Sequence, residues 1–371
     1  MSDKIPVISL SGTPRNMGLS FGESYRREIQ EFALLRLNRL KMFLMEYSNI
    51  AVDNKSILNT VQEVVPWHRA YNYDIWNEFR GIATGAGISD ELLLVSMAYT
   101  DLRDYFIRRY HPLLNTGIDP GGCSAFIVPR KLAANGVLIG QTWDMSPEAI
   151  RYLVLVRRKP VNAPETLYLT TAGCLALIGI NSHGVAIGNT NLMTSDHISG
   201  VNYLFTISAA LQADTALTAA GTIINTPRLS GHNFFAADQD AAFNIEASSL
   251  QSKNTPVTDE IHIHTNHCLD PEMKKLELPR HVRWQESSTY RYQRMKQLFT
   301  KTALPLNIHQ CWEILGDRKS NSSRFAICMD DVDQNNSDVA TVATCILSPA
   351  ERKIHVCAGG ADNEKMQEIS L

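Results

Sequence analysis

The sequence is short of most features that assign a function at sight. Its 371 residues carry little net charge, since 35 Lys and Arg against 38 Asp and Glu leave −3 at pH 7. A chain without a basic excess has no electrostatic footprint for nucleic acid. No apolar run reaches the ~18 uninterrupted residues that suggest a membrane span. Met1 to Asn16 is mixed polar and lacks the apolar stretch of a signal peptide. The closing residues Gln367-Glu368-Ile369-Ser370-Leu371 form no recognised address signal. Seven cysteines are spread widely with no CxxC, which excludes a disulfide framework and fits a reducing compartment. The expectation is a cytoplasmic protein. There is neither a phosphate-cradling glycine loop nor a nucleotide fingerprint, so no cofactor is expected. Internal repeats and low-complexity tracts are lacking too.

What is present is ample core material, with 44% apolar residues, and two halves of different character. The first 122 residues read as an all-helical leader. Thr13 can cap a helix and Pro14 fits its first position. Met17, Phe21, Ile29, Phe32 and Leu40 recur at helical spacing with arginines between them. Gly18 and Gly22 share one face and permit close packing. A second helical run covers about 55–79. A third starts at Ser89-Asp90-Glu91 and continues to Tyr110. Residues 111–122, with Pro112, Asn115, Gly117, Pro120, Gly121 and Gly122, read as an exposed loop.

After Cys123 the pattern turns to strands, expected at 124–128, 136–141, 152–157, 165–171, 175–181, 184–188, 233–247 and 261–265. Helices are expected over 201–224, 287–300 and 306–315. A closing hairpin joins 339–347 to 353–358. A helical leader followed by strands with helices between them suggests stacked sheets covered by helices, an α+β class. The expected division is 1–122 and 123–371.

Cys123 is the centre of the chemistry. Most other cysteines, such as Cys328, Cys345 and Cys357, sit in apolar runs as small hydrophobes, but Gly122-Cys123-Ser124 lies between a glycine pair and a strand. A thiol next to its own preceding carbonyl can attack it, and water then releases Gly122 from the thioester. The freed α-amine, with a pKa of about 7.7–8.0, can take the thiol proton in later turnovers. Asp144, in Gly140-Gln141-Thr142-Trp143-Asp144, ends the next strand, and a hairpin could bring its carboxylate beside that amine; alternatively it is a turn-forming Asp. Asn266, at a strand end in Thr265-Asn266-His267-Cys268, could donate to an oxyanion or simply turn the chain. Asn191, where another strand ends, is a secondary oxyanion candidate with a simple turn as its alternative. His262, His264, His267 and Cys268 invite a zinc reading, but no second ligand pair has suitable spacing, so no metal is expected.

This ordered set resembles the isopenicillin N N-acyltransferase family of self-processing N-terminal-nucleophile cysteine hydrolases. Its relatives include the insect N-β-alanyl-dopamine hydrolase and, more distantly, the choloylglycine hydrolases. The resemblance runs from Gly12, Gly18 and Gly22 through Glu78 to Ser89, Gly122-Cys123-Ser124 and Gly140 to Asp144. It continues through Ser230-Gly231-His232-Asn233 and Thr265 to Cys268, then Phe325 to Cys328 and the last hairpin. It implies a four-layer αββα sandwich and self-cleavage between Gly122 and Cys123 into chains that stay together as an αβ heterodimer, with higher oligomers left open. It implies Cys123 as nucleophile, Asp144 as supporting carboxylate and Asn266 as oxyanion donor, with acyl transfer through a thioester. The chain departs from the family where Asp338 occupies the place of an arginine and where Thr142 replaces an asparagine, and it carries Gln141 where choloylglycine hydrolases have an arginine.

The leading expectation is therefore a self-processing amidohydrolase for a small N-acyl amide. An acyl-CoA-dependent N-acyltransferase of the same fold is the alternative within the enzyme class. An unprocessed binding protein is the alternative outside it. Neither a nucleic-acid nor a membrane partner is expected.

Overall fold

The computed structural model describes residues 4–48, 50–110, 122–196, 199–278, 282–320, 325–329 and 339–371. The chain opens on a strand, β1 (Val7–Gly12). Seven helices follow among the described residues: α1 (Pro14–Ser24), α2 (Arg26–Ser48), α3 (Asn54–Gln62), α4 (Val65–Tyr71), α5 (Tyr73–Ala86), α6 (Asp90–Met97) and α7 (Tyr99–Tyr110). After Gly122 come β2 (Ala125–Val128), β3 (Leu138–Met145), β4 (Leu153–Pro160), β5 (Thr166–Thr171), β6 (Ile178–Asn181) and β7 (Ala186–Asn191). Helices α8 (Tyr203–Ala210) and α9 (Ala216–Asn225) lead to β8 (His232–Ala237), β9 (Ala242–Ala247), β10 (Ser252–Pro256) and β11 (His262–His264). The chain finishes with α10 (Pro271–Leu276), α11 (Val282–Lys301), α12 (Ile308–Leu315), β12 (Ala340–Ser348), β13 (Lys353–Ala358) and β14 (Gln367–Ser370).

The strands form two sheets among the described residues, in the orders β1-β4-β5-β6-β7-β8-β9-β10 and β11-β2-β3-β12-β13-β14. Period-two alternation sorts side chains between layers. Ala125 and Ile127 of β2 join the core between the sheets, whereas Phe126 and Val128 meet Met295, Phe299, Cys311 and Trp312 on α11 and α12. Cys345 and Leu347 of β12 face inward while Ile346 faces the helices. The sheets touch where Gln141 of β3 meets β7. Its Nε2 donates to the Asn189 carbonyl at 3.0 Å and its Oε1 accepts from the Asn189 N–H at 3.1 Å. On the far side α8 and α9 pack on β7, β8 and β9, and α1 packs against β4. This is the α+β, four-layer αββα sandwich that the sequence suggests.

The leader is not all helical. Strand β1 runs parallel to β4, pairing Val7 with Leu155 through Gly12 with Pro160, so the leader completes the edge of the larger sheet. Its helices share one apolar core with both sheets. Several long expected helices are broken by caps. The run 55–79 splits into α3, α4 and α5, because Pro66 lies in the first turn of α4 and Asn72 Oδ1 accepts the Ile75 N–H at 3.0 Å to begin α5. The run from Ser89 to Tyr110 divides at Ala98 into α6 and α7. Residues 201–224 divide where Thr215 caps α9. The expected strand 233–247 is the hairpin β8–β9, 175–181 shortens to β6, and β10, α10 and β14 were not expected.

The packing anticipated for Gly18 and Gly22 is a backbone-to-backbone contact between α1 and α5. A Cβ on Gly18 would stand 2.0 Å from the Glu78 carbonyl oxygen, and one on Gly22 would stand 2.4 Å from that of Ile82. Gly81 and Gly85 reciprocate, meeting the carbonyls of Arg15 and Leu19 at 2.4 Å each. Backbone cannot rotate away as a side chain can. Gly22→Ala is expected to cost about 1–3 kcal/mol, read as a lower urea midpoint at unchanged slope.

Candidate active site

Three strand ends converge on Cys123. Strand β2 pairs with β3, and the pairing continues past the strand ends: Gly122 N–H donates to the Asp144 carbonyl at 3.1 Å, and Asp144 N–H donates to the Gly122 carbonyl at 2.9 Å. On the other side β11 pairs His264 with Ala125. The same antiparallel register carries Asn266 to Cys123, whose N–H donates to Asn266 Oδ1 at 2.9 Å. The two sides of the Gly122–Cys123 peptide bond are therefore held by different neighbours. Asp144 holds the carbonyl, and Asn266 holds the nitrogen.

Asp144 is buried. Its Oδ1 accepts from Thr341 Oγ1 at 2.7 Å, and its Oδ2 accepts from Thr142 Oγ1 at 3.3 Å. Register explains the first contact, since β12 sets Thr341 directly opposite Asp144. Burial pushes the carboxyl up from the usual 3.8 to about 6, against the pull of the Arg291 charge and the two hydroxyl bonds. Thr142, at the position of the family's asparagine, takes the Ser124 N–H at 3.1 Å as well, so it links the nucleophile's strand to the carboxylate.

Arg291 of α11 is the residue that sequence reasoning missed. It is almost fully buried. Its Nη1 donates to the Cys123 carbonyl at 2.6 Å and to Ser124 Oγ at 3.0 Å, and its Nη2 donates to Asn266 Oδ1 at 2.9 Å. The signal was present in the helix. Trp284, Ser287, Ser288, Arg291, Met295 and Phe299 form one buried stripe at helical spacing, and Arg291 is its charged member. One turn earlier, Ser288 Oγ accepts the Asn266 N–H at 2.9 Å and fixes the loop that carries Asn266.

Asn266 uses both ends of its side-chain amide. Its oxygen takes Cys123 N–H and Arg291, and its Nδ2 donates to the Asn191 carbonyl at 3.1 Å. One N–H of that amide is left over. The side chain of Asn191, the secondary candidate, has buried oxygen and nitrogen atoms with no hydrogen-bond partner. Both polar ends of Asn191 thus lack a protein partner, and the residue borders the cavity at Cys123.

A cavity of about 60 Å³ is bordered by Cys123, Trp143, Asp144, Asn191, Tyr203 and Arg36, among others. His232, from the Ser230-to-Asn233 segment, also borders it. Its Nε2 lies 3.0 Å from Asp101 Oδ1, and its ring stacks on Tyr203 with 4.4 Å between centroids. Two of the histidines considered for zinc are engaged elsewhere, whereas His262 Nε2 is buried without a hydrogen-bond partner. His264 bonds Glu246 at 2.9 Å and Thr190 at 2.9 Å, and His267 bonds Ser288 at 2.8 Å. Cys268 lies in an apolar cluster with Leu192 and Met273. Among the described residues no group of three His, Cys, Asp or Glu could hold a metal ion. Likewise none of their helices is long and apolar enough to cross a membrane. Gly121 and Asp338 lie outside the described residues.

The family model described as acyl-coenzyme A:6-aminopenicillanic acid acyl-transferase matches residues 132–363, more than half of the chain. The chain belongs to this family of enzymes. A curated acyl-transferase, the 40 kDa form of acyl-coenzyme A:6-aminopenicillanic-acid-acyltransferase from Emericella nidulans, is 24% identical over 278 residues, 71% of this chain and 69% of its own length. Among solved structures, a mutant of the conjugated bile acid hydrolase from Clostridium perfringens covers 67% of this chain and 92% of its own at 9% identity and a TM-score of 0.45. The Caenorhabditis elegans orthologue of N-acylethanolamine-hydrolyzing acid amidase covers 62% and 93% at 13% identity, with a TM-score of 0.41. Penicillin V acylase from Agrobacterium tumefaciens covers 63% and 82% at 10% identity, with a TM-score of 0.37. Within this chain the acyl-transferase match takes in Asp144, Asn191, Asn266, Arg291 and Thr341. It begins after Cys123 and leaves the leader outside.

Proposed function

We propose that this member of the acyl-transferase family cleaves its own backbone before Cys123 and then hydrolyses a small N-acyl amide through a thioester on that cysteine. The observation that carries the reading is the clamp on the Gly122–Cys123 bond, with Asp144 N–H at 2.9 Å on its carbonyl and Asn266 Oδ1 at 2.9 Å on its nitrogen.

In maturation the Cys123 sulfur attacks the Gly122 carbonyl carbon. Negative charge then grows on an oxygen that already accepts the Asp144 N–H, the arrangement that stabilises an oxyanion. The C–N bond breaks, its nitrogen takes the thiol proton, and the leader is held as a thioester. Water adds to that thioester and releases Gly122 as a carboxylate and Cys123 as the free thiol. The nitrogen left behind is an α-amine whose position is fixed by Asn266 Oδ1. It serves as the base for the thiol, and the Asp144 carboxylate stabilises its ammonium form. With substrate, the second N–H of Asn266 and Nδ2 of Asn191 are the donors for the acyl oxyanion. The Arg291 charge orients Asn266 and helps keep Asp144 ionised.

Intact mass of the purified protein beside Cys123→Ala tests the first half. The parent is expected as two fragments of 122 and 249 residues from a chain of 371, and the mutant as one. An uncut parent would overturn self-cleavage. Release of free acid from N-acyl amides, lost when the thiol of the matured protein is alkylated, tests the second half.

A further inference from the structure

The leader contributes arginines to the wall of the cavity at Cys123: Arg36 and Arg39 from α2, and Arg103 from α7. Arg39 is paired with Glu148 at the rim, and Arg103 with Asp104 at 2.8 Å. Arg36 is different. It is 4% exposed, and its guanidinium lies against the rings of Phe32 and Tyr99, 4.7 and 4.9 Å from their centroids. Nη2 donates to the Met145 sulfur at 3.1 Å, and buried Nε has no hydrogen-bond partner. No carboxylate among the described residues forms an ion pair with it; the nearby Glu148, which feels its charge, is engaged by Arg39. A buried cation with no ion-pair partner of its own costs several kcal/mol. A thioether sulfur, two aromatic faces and a carboxylate already paired with Arg39 offset only part of that, and a bound anion would offset the rest.

We propose that Arg36 is the receptor for a carboxylate on the substrate, so that the enzyme acts on small N-acyl amides that carry a carboxylate. This rests on the reading of Cys123 as the nucleophile. The planar guanidinium fork matches a carboxylate with two parallel hydrogen bonds. Phe32 and Tyr99 hold the fork in place, so little side-chain freedom is lost on binding. The same cavity of about 60 Å³ borders both Arg36 and Cys123, so one small molecule there can meet both. The arrangement also gives the leader a standing role. Its arginine selects the substrate after the chain is cut, so the two fragments act only together.

The test needs no natural substrate. Iodoacetate and iodoacetamide both alkylate a thiolate with loss of iodide and differ in one charge. On the purified, matured protein, the ratio of iodoacetate to iodoacetamide rates at Cys123, read by peptide mass, is expected to exceed that for glutathione by about tenfold, the effect of one good charge pairing. Arg36→Gln is expected to remove that excess, and Arg36→Lys to restore much of it. Cys174 and Cys345, both buried, report folding by staying unmodified. On the parent protein, N-acetylglycine is expected to slow alkylation by iodoacetamide, while neutral N-acetylglycinamide is not. A ratio unchanged by Arg36→Gln in folded protein, or equal protection by the two glycine compounds, overturns the carboxylate assignment while Cys123 still reacts. A Cys123 inert to both reagents overturns the nucleophile reading, and this assignment with it.

Discussion

Arg291→Lys is expected to abolish self-cleavage on the time scale of purification and to leave a folded but weakened, uncut chain. The substitution keeps the charge, so the loss reports geometry. The guanidinium reaches three acceptors at once, the Cys123 carbonyl, Ser124 Oγ and Asn266 Oδ1, at 2.6, 3.0 and 2.9 Å. A single ammonium on a flexible stem cannot span that fork. Two consequences follow. Asn266 loses the contact that orients its oxygen toward the Cys123 nitrogen, and a misplacement near 1 Å can cost about 100-fold in rate. The Cys123 carbonyl or Ser124 Oγ also loses its Arg291 donor, at about 1–3 kcal/mol for a buried acceptor left unpaired. Arg291→Met removes the charge too. It is expected to cost more, about 3–5 kcal/mol, because Asp144 then loses its nearby cation. Intact mass reads the cleavage, and urea unfolding of each variant against Cys123→Ala reads the stability on equal, uncut chains. Rapid cleavage in folded Arg291→Lys would sink the positioning role.

Arg291 also marks the boundary of what a single sequence discloses here. The nucleophile's surroundings are set by local register. The turn at Asn135-Gly136 makes β2 and β3 neighbours, and period-two counting then brings Asp144 opposite Gly122. Asn266 was legible because a short strand ends immediately before it, and β11 joins β2 to deliver it. Arg291 lies 168 residues from Cys123, on a helix whose pattern announces a helix and no partner. Its position depends on which sheet that helix covers, a tertiary choice invisible to periodicity. Arg36 has the same character, one arginine among several on α2, distinguished only by lacking an ion-pair partner of its own once folded. Strand β1 escaped notice because six residues beside a helix cap carry too little alternation to declare a strand. Its partner β4 begins 146 residues after β1 does.

The second large effect is pH dependence, with Asp144 as its source. Hydrolysis by the matured enzyme is expected to rise with pH along a limb centred near 6, because burial holds the carboxyl at about 6 and only the carboxylate stabilises the ammonium formed when the Cys123 amine takes the thiol proton. Below that limb the rate is expected to fall about tenfold per pH unit. Linkage has the opposite sign for stability. The folded pKa lies above the unfolded value, so this group favours folding below about pH 4, and that contribution is lost as pH rises through about 6. Activity thus requires the ionisation state that the fold disfavours. Asp144→Asn is expected to flatten the limb and lower kcat/KM by about 100-fold or more. Thr341→Val separates the charge from mere structure. It removes the 2.7 Å hydroxyl donor that favours the ionised form, so the limb should move to higher pH by about one unit, with the plateau rate largely retained. A limb that stays near pH 6 in both variants would assign it to another group and remove Asp144 from the proton relay.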